Sequence, residues 1–333
     1  MSSTEITTQA EITASIARSL LEEDYERARE LDGKSLATNT IAAYDSAWRA
    51  FATWCEQRQV SAVPVKSEDL RAYLAFLAYN KEKKVKFSTI QVAYSAICYV
   101  QRRKGDWGRD GKASYEVRDA LKAIKNDLNT RPKGKKPLFD REIKEIAEYL
   151  YNDDIENIRN LAIILIGFLG GLRRSEITSI RFEEIEFHNE GIIIHWDKTK
   201  TGMQDKEIFA IKENKRICPV HNLQRWINVA NIKEGYVFRP FTRGMKIINK
   251  QMYNGTIAKI VKDAVEILGK SIEEFAGHSL RSGLITSVSK SGKQDSEIMN
   301  FTGHKSHSSF QRYVKEANKF ENNVAENLFG RKK

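Results

Sequence analysis

The chain has 333 residues, of which 41% are hydrophobic and 30% charged, and this composition excludes a wholly disordered protein. A chain of this length predicts two domains. Its longest apolar run, Leu161 to Leu172, is shorter than the roughly 18 residues that a membrane helix needs, so we expect no membrane partner. The amino terminus lacks a basic start followed by an apolar core, so we expect no secretory signal. The three scattered cysteines predict buried thiols in a reducing, cytoplasmic compartment.

Charge is distributed unevenly along the chain, whose net charge is +11. Residues 1–32 contain 8 acidic and 3 basic side chains, whereas the remainder contains 52 basic and 36 acidic ones. The sequence thus predicts an acidic N-terminal extension, residues 1–33, followed by a basic body. A basic body suits a polyanion, and nucleic acid is the simplest such partner.

The region 34–128 predicts a bundle of four amphipathic helices. Apolar residues from Ile41 onward recur at helical spacing, and Thr38 or Asn39 could cap this first helix. Ser67 could cap the second helix, since two acidic residues follow it. The stretches FSTIQVAYSAICYVQRRKG and SYEVRDALKAIKNDL predict the third and fourth helices.

Residues 129–140, NTRPKGKKPLFD, predict a basic linker, because helical periodicity stops at two prolines and a glycine. The linker could follow a phosphate backbone or serve as a solvated hinge, and the two interpretations are compatible. The candidate DNA contacts are basic residues of this linker and of the helical region: Lys83, Lys84, Lys86, Arg102, Arg103, Lys104, Arg131, Lys133, Lys135 and Lys136.

The region 141–333 predicts a mixed domain. Two helices, the second of them buried, precede a short helix in RSEITSIRF. The stretch from Glu183 to Ile211 alternates and is broken by turns at Asn189–Gly191 and Thr201–Gly202, a pattern typical of three antiparallel strands. Helices resume at Pro219 and continue to the end. The predicted fold class is therefore mainly α with a small antiparallel β-sheet.

Five short motifs of this region contain polar residues suited to phosphate chemistry. They are GLRRSEI with Arg173 and Glu176, DKTKTG with Lys200, GHSLRSG with His278 and Arg281, TGHKS with His304, and FQRYV with Tyr313. Each motif is ambiguous by itself, because an isolated arginine, turn lysine or half-buried tyrosine is common. Their joint order is hard to obtain by accident.

This order of residues resembles the tyrosine site-specific recombinases, the phage integrase family that includes the Cre, Xer and lambda-integrase types. The resemblance covers nearly the whole chain and implies a helical, SAM-like core-binding domain before a mixed α+β catalytic domain. The layout is most similar to the Cre type, but His304 stands where that type has tryptophan. The sequence therefore assigns no subfamily.

Phosphodiester chemistry explains why these residue types occur together. In-line displacement builds negative charge on phosphate oxygens, which two arginines, Arg173 and Arg281, could grip with their forked donors. A tyrosine hydroxyl is a weak nucleophile at neutral pH and needs a base to accept its proton. This requirement explains the polar neighbours of Tyr313.

The resemblance implies a role for each of the remaining residues. His278 would be the base-type residue, His304 would donate a hydrogen bond to the scissile phosphate, and Lys200 would protonate the 5′ oxygen. Lys198 is the rival of Lys200 for the acid role. Glu176 would orient a basic residue or serve the structure alone.

The function so implied is strand cleavage and rejoining through a 3′-phosphotyrosine intermediate, without metal or ATP. We expect no cofactor, and the sequence shows neither zinc-ligand spacing nor the carboxylate set that Mg²⁺ requires. The expected partners are double-stranded DNA with an inverted-repeat target, at the nucleoid, and three further subunits in a tetramer on two DNA sites. The C-terminal helix would dock on a neighbouring subunit.

Two other functions compete with recombination. A type IB topoisomerase-like enzyme would share the tyrosine and the arginines but relax DNA as a monomer. A catalytically silent DNA-binding protein would not need the complete residue set, which argues against it.

Overall fold

The computed structural model describes Arg27 and residues 36–80, 85–104, 114–128, 134–199 and 202–317. The chain divides into two compact units, Met1–Pro132 and Lys133–Lys333. It is mainly helical with one three-stranded antiparallel sheet, which confirms the predicted fold class. No helix among the described residues is long and apolar enough to cross a membrane. The predicted extension 1–33 lies outside the described residues except for Arg27.

The first unit contains four described helices: α1 (Thr38–Arg58), α2 (Ser67–Tyr79), α3 (Phe87–Lys104) and α4 (Tyr115–Leu128). The predicted side-chain caps are wrong for α1 and α2. Ala37 and Lys66 occupy the cap positions and make no side-chain cap hydrogen bond. Thr38 and Ser67 are instead the first residues inside their helices, because backbone angles set the helix start and local sequence predicts it only to within a residue or two.

Aromatic side chains form the core of the first unit. The rings of Phe51 and Trp54 on α1 lie 4.9 and 5.3 Å from the ring of Tyr73 on α2. Gln101 on α3 is buried beneath the loop that joins α1 to α2, where its amide donates to Ala62 O at 2.6 Å and accepts from Val65 N at 3.1 Å. These two bonds satisfy a buried amide and fix the loop.

The second unit contains eight described helices and three strands. They are α5 (Asp140–Leu150), α6 (Ile155–Leu169), α7 (Arg174–Ser179), β1 (Ile185–Phe187), β2 (Gly191–Thr199), β3 (Gly202–Phe209), α8 (Pro219–Val229), α9 (Asn254–Ile267), α10 (His278–Lys290), α11 (Asp295–Thr302) and α12 (His307–Ala317). Two short 3₁₀ turns lie at Phe182–Glu184 and Ile272–Glu274.

Helix α6 is the centre of the second core, because apolar residues cover almost its whole circumference. Asp154 caps its start by accepting from Asn157 N at 2.9 Å. Helices α5, α8 and α10 pack around it. The sheet has the order β1-β2-β3, and its buried face carries Ile192 and Ile194 from β2 with Ile208 from β3.

Two glycines with left-handed backbone angles present their carbonyl oxygens to two arginine side chains of the second unit. Gly171 follows α6 with φ +59°, and Gly303 ends α11 with φ +63°. An L side chain rarely adopts these angles, and a Cβ on Gly171 would lie 2.9 Å from Leu284 Cδ2. The carbonyl oxygens of both glycines accept hydrogen bonds from arginines of the candidate site.

Candidate active site

Arg173 is held by a carboxylate one helical turn away. It occupies the cap position of α7, where its backbone N–H donates to Glu176 Oε2 at 2.7 Å. Its Nη1 donates to Glu176 Oε1 at 2.5 Å, and its Nη2 donates to Gly303 O at 3.0 Å. The side chain of Glu176 is 8% exposed, whereas that of Arg173 is 23% exposed. The guanidinium is thus fixed on one side and open to solvent on the other.

Arg281 is the more deeply buried arginine, with 1% of its surface exposed. Its Nη1 donates to Gly171 O at 2.7 Å, and its Nη2 donates to Thr302 O. Its Nε–H is buried and has no partner among the described residues, which leaves one donor available. Desolvation and the charge of Arg173 lower the pKa of Arg281 to about 10, so it stays charged at neutral pH.

His278 and Tyr313 form a direct pair. His278 begins α10, Tyr313 lies on α12, and the distance from His278 Nε2 to Tyr313 Oη is 2.9 Å. His278 keeps part of its surface open to solvent. Desolvation, followed by the charges of Arg281 and Arg173, nevertheless lowers the pKa of its imidazole. His278 is therefore neutral near pH 7, and a neutral imidazole can accept the tyrosine proton.

Helix α12 holds Tyr313 against the same unit that carries the arginines. Phe310, one turn earlier, is fully buried with Ile285 and Ile298, and Tyr313 packs against this cluster. The rings of Tyr313 and His304 are 5.8 Å apart. The nucleophile candidate and its candidate base thus lie in the same unit.

His304 is neutral and lies between Thr302 and Arg281. Thr302 Oγ1 donates to Ile298 O at 2.6 Å and lies 2.7 Å from His304 Nδ1. Arg281 Nη2 lies 3.3 Å from His304 Nδ1 and 3.5 Å from Nε2. Desolvation and then the charge of Arg281 lower the pKa of His304 to about 4.

Lys206 on β3 is a charged residue of this region that the motifs did not reveal. It is 3% exposed, and its ammonium lies 3.8 Å from the centre of the Phe301 ring. Desolvation first, then the charge of Arg281, lowers the pKa of Lys206 to about 8. The period-2 pattern of β3 is a signal that could have found it, because Lys206 shares a face with the buried Ile208.

The structure brings six of the predicted site residues together: Arg173, Glu176, His278, Arg281, His304 and Tyr313. Lys200 lies outside the described residues, and so does the side chain of its rival Lys198. The acid role therefore stays a prediction for either lysine.

The predicted DNA contacts are spread over both units. Those outside the described residues are Lys83, Lys84, Arg131 and Lys133. Lys86 and the last turn of α3, with Arg102, Arg103 and Lys104, are exposed. Lys135 donates to Glu273 O, and Lys136 Nζ lies 2.7 Å from Glu274 Oε1. These contacts anchor the linker to the second unit, and a DNA role for its lysines stays a prediction.

Comparison with known proteins agrees with this geometry. The sequence pattern of the phage integrase family matches residues 137–319. An integrase/recombinase XerD homologue of Selenomonas ruminantium is 32% identical over 302 residues, which cover 90% of this chain and 87% of that protein. The Cre recombinase of Escherichia phage P1 is 24% identical over 82% of each chain. The chain therefore belongs to the phage integrase family and is a tyrosine site-specific recombinase.

Solved structures share the fold. The Tn1549 transposon integrase in complex with transposon right end DNA gives a TM-score of 0.59 at 17% identity, over 86% of this chain and 92% of that one. A lambda integrase dimer bound to a COC′ core site gives a TM-score of 0.56 at 14% identity, over 88% and 93%. The reported relatives are recombinases and integrases, which does not favour the topoisomerase alternative.

Proposed function

We propose that the protein recombines DNA by forming and resolving a covalent bond between Tyr313 and a DNA 3′ phosphate. The observation that carries the proposal is the 2.9 Å contact between Tyr313 Oη and a neutral His278, in the unit that also holds two fixed arginines. A nucleophile, its base and paired oxyanion donors are the minimum set for transesterification at phosphorus.

The proposed cleavage step is a transesterification at phosphorus. Tyr313 Oη attacks the phosphorus while its proton passes to His278 Nε2. An O–P bond forms, the bond from phosphorus to the 5′ oxygen breaks, and Lys200 supplies the proton that this oxygen needs. The product ester stores the energy of the broken bond, so a 5′ hydroxyl from another strand can reverse the step without ATP.

The arginines would hold the non-bridging oxygens during this step. Within the described part of the chain, Arg281 Nε–H has no hydrogen-bond partner, and Arg173 retains an open side opposite Glu176. Because backbone carbonyls and a carboxylate already fix both guanidinium groups, they need little reorganisation when charge builds on the phosphate. Removal of one such donor typically costs about 100- to 1,000-fold in rate.

His304 would contribute a hydrogen bond to the same phosphate. In the free protein its pKa is about 4, so the imidazole is neutral and one of its two ring nitrogens carries a proton. An entering phosphate is an anion, and a nearby anion raises the pKa of an imidazole. Both ring nitrogens of His304 would then carry a proton, and the imidazolium could donate to the phosphate.

The proposed substrate is double-stranded DNA with an inverted-repeat target. The helical unit would contribute sequence-independent phosphate contacts from exposed basic residues such as Lys86 and Lys104. Exchange of two strand pairs needs four tyrosines, so we propose a homotetramer on two DNA sites, linked by the C-terminal helices. Such a protein would act at the nucleoid.

Covalent capture tests the proposed function. A sheared library of the DNA that flanks the gene is incubated with the protein, denatured with detergent, and the protein-bound fragments are sequenced. We expect enrichment of one inverted repeat and none with Tyr313→Phe, which should still bind DNA. Equal capture by that variant would assign the nucleophile elsewhere.

A plasmid assay separates recombination from topoisomerase activity. Supercoiled DNA without the captured repeat should stay supercoiled, whereas two copies of the repeat should give recombinant products. Efficient relaxation of the plasmid that lacks the repeat would favour the topoisomerase instead.

A further inference from the structure

Lys206 is a buried cation placed beside other cations. Its ammonium lies on the ring of Phe301, and the carbonyl oxygens of the next two residues, Thr302 and Gly303, accept from Arg281 and Arg173. The charges of both arginines and of Glu176 therefore act on it. The aromatic face of Phe301 supports the ammonium at 3.8 Å, an arrangement that attracts cations. Ile194, its cross-strand partner on β2, is fully buried.

This position is unfavourable for a purely structural residue. Burial removes the hydration of an ammonium group, and two guanidinium groups repel it. A methionine or leucine would fill the same space in β3 without either cost. A lysine at this position is explained if an anion enters the site and interacts with its ammonium group.

The net charge of the site can be compared with the charge of the phosphate group, first in bound DNA and then in the transition state of cleavage. Arg173, Arg281 and Lys206 carry three positive charges and Glu176 carries one negative charge, while the two histidines are neutral. The net charge of these described groups is therefore +2, or +1 without Lys206, and Lys200 lies outside the described residues. A phosphodiester carries one negative charge, and the phosphoryl group in the transition state approaches two. The additional charge of Lys206 thus matches the transition state better than bound DNA.

We propose that the buried ammonium of Lys206 belongs to the active site and stabilises the transition state of strand cleavage more than it stabilises DNA binding. The inference rests on the proposed function, in which Tyr313 attacks a DNA phosphate. It concerns a residue separate from Lys200, whose expected task is to protonate the leaving oxygen.

The test uses Lys206→Met, which keeps the length of the side chain and removes its charge. Lys206→Arg restores the charge, and Lys206→Gln is a second uncharged variant in case the methionine variant does not fold. Lys212→Met removes an exposed lysine from the turn after β3 and is the matched control. The substrate is a nicked duplex carrying the captured inverted repeat.

Three measurements are made on each full-length variant: the single-turnover cleavage rate at saturating DNA, the Kd for DNA, and the Tm. We expect Lys206→Met to lower the cleavage rate about 100-fold and to change the Kd less than about threefold. Its Tm should equal or exceed that of the wild type, because a buried cation beside cations has been removed. Lys206→Arg should cleave at least about tenfold faster than Lys206→Met, and Lys212→Met should cleave at the wild-type rate.

Each contrary outcome overturns the inference. A Lys206→Met variant that cleaves at the wild-type rate shows that the charge is not used. A joint loss of Tm, binding and cleavage in both uncharged variants shows a structural role. Absence of cleavage by the wild type itself would instead reject the proposed function.

A substrate with a 5′ sulphur leaving group separates charge stabilisation from proton donation. A thiolate leaves without needing a proton, so loss of a general acid is rescued on this substrate. We expect Lys206→Met to slow cleavage equally on the oxygen and sulphur substrates. Rescue by sulphur would make Lys206 the acid and would overturn the charge-stabilising role.

Discussion

The two units treat positive charge in opposite ways. In the helical unit the basic residues at the end of α3 are exposed, and solvent and salt screen them. In the second unit Arg281 is 1% exposed, and carbonyl oxygens of Gly171 and Thr302 fix its donors. Screened charges suit affinity for a long polyanion, whereas buried, fixed charges suit one phosphate during a reaction. Substitutions of exposed basic residues in the helical unit should therefore change the affinity for DNA, whereas substitutions at the candidate site should change the cleavage rate.

The largest effect should come from Arg281→Lys, which keeps the charge but removes the fork that reaches two carbonyls. We expect the single-turnover cleavage rate to fall roughly 100- to 1,000-fold with little change in the Kd for DNA. Arg174→Lys, at the exposed neighbour of Arg173, is the control and should cleave normally. If Arg281→Lys lowered the cleavage rate less than about tenfold, the buried charges of the second unit would not be specialised for the reaction.

The pH profile should show that His278 works as a neutral base. Its pKa is lowered from 6.5, so the neutral form persists as the pH falls through 6.5 and is lost only at a lower pH. The cleavage rate should thus stay constant from pH 7 to pH 6.5 and then fall by about tenfold per unit below the lowered pKa. Above pH 7 it should decline for a separate reason, because Lys206, whose pKa is about 8, loses its charge. A rate that already halves as the pH falls from 7 to 6.5 would contradict this assignment.

Glu176→Gln should have a smaller effect, because glutamine keeps an acceptor for Arg173 but loses the charge. Hydrogen bonds to charged groups contribute roughly 1.5–3 kcal/mol and neutral ones about 0.5–1.5 kcal/mol, and losing this difference should lower the cleavage rate about tenfold. Glu183→Gln, an exposed carboxylate beyond α7, is the control. If Glu176→Gln cleaved like the wild type, the carboxylate would have a structural role only.

The smallest change in cleavage should follow from Lys86→Gln with Lys104→Gln in the helical unit. Both side chains are exposed, so the pair should weaken DNA binding several-fold at low salt. The slope of log K against log salt should fall by about 1.8, since each phosphate contact contributes about 0.9. Cleavage at saturating DNA should not change, and a slower saturated rate would show that these lysines take part in the chemistry.

Sequence and structure agree where the chemistry demands particular residue types. The arginine forks, the histidine base and the tyrosine nucleophile that we propose are recognisable in the sequence because few side chains can replace them. The alternation of β3 places Lys206 on the same face as the buried Ile208, but its contact with Phe301 on α11 depends on tertiary packing that the sequence pattern does not specify. The left-handed turns at Gly171 and Gly303 also depend on tertiary contacts, since the acceptors they provide belong to arginines far along the chain.

Mass spectrometry of the trapped covalent complex tests most directly whether Tyr313 is the residue that joins DNA. The wild-type protein is incubated with the nicked duplex, digested with nuclease and protease, and its peptides are searched for a nucleotide remnant. We predict a 3′-linked nucleotide on Tyr313 and on no other tyrosine. A remnant on a different residue, such as the exposed Tyr253, would contradict the assignment, and so would covalent DNA in Tyr313→Phe.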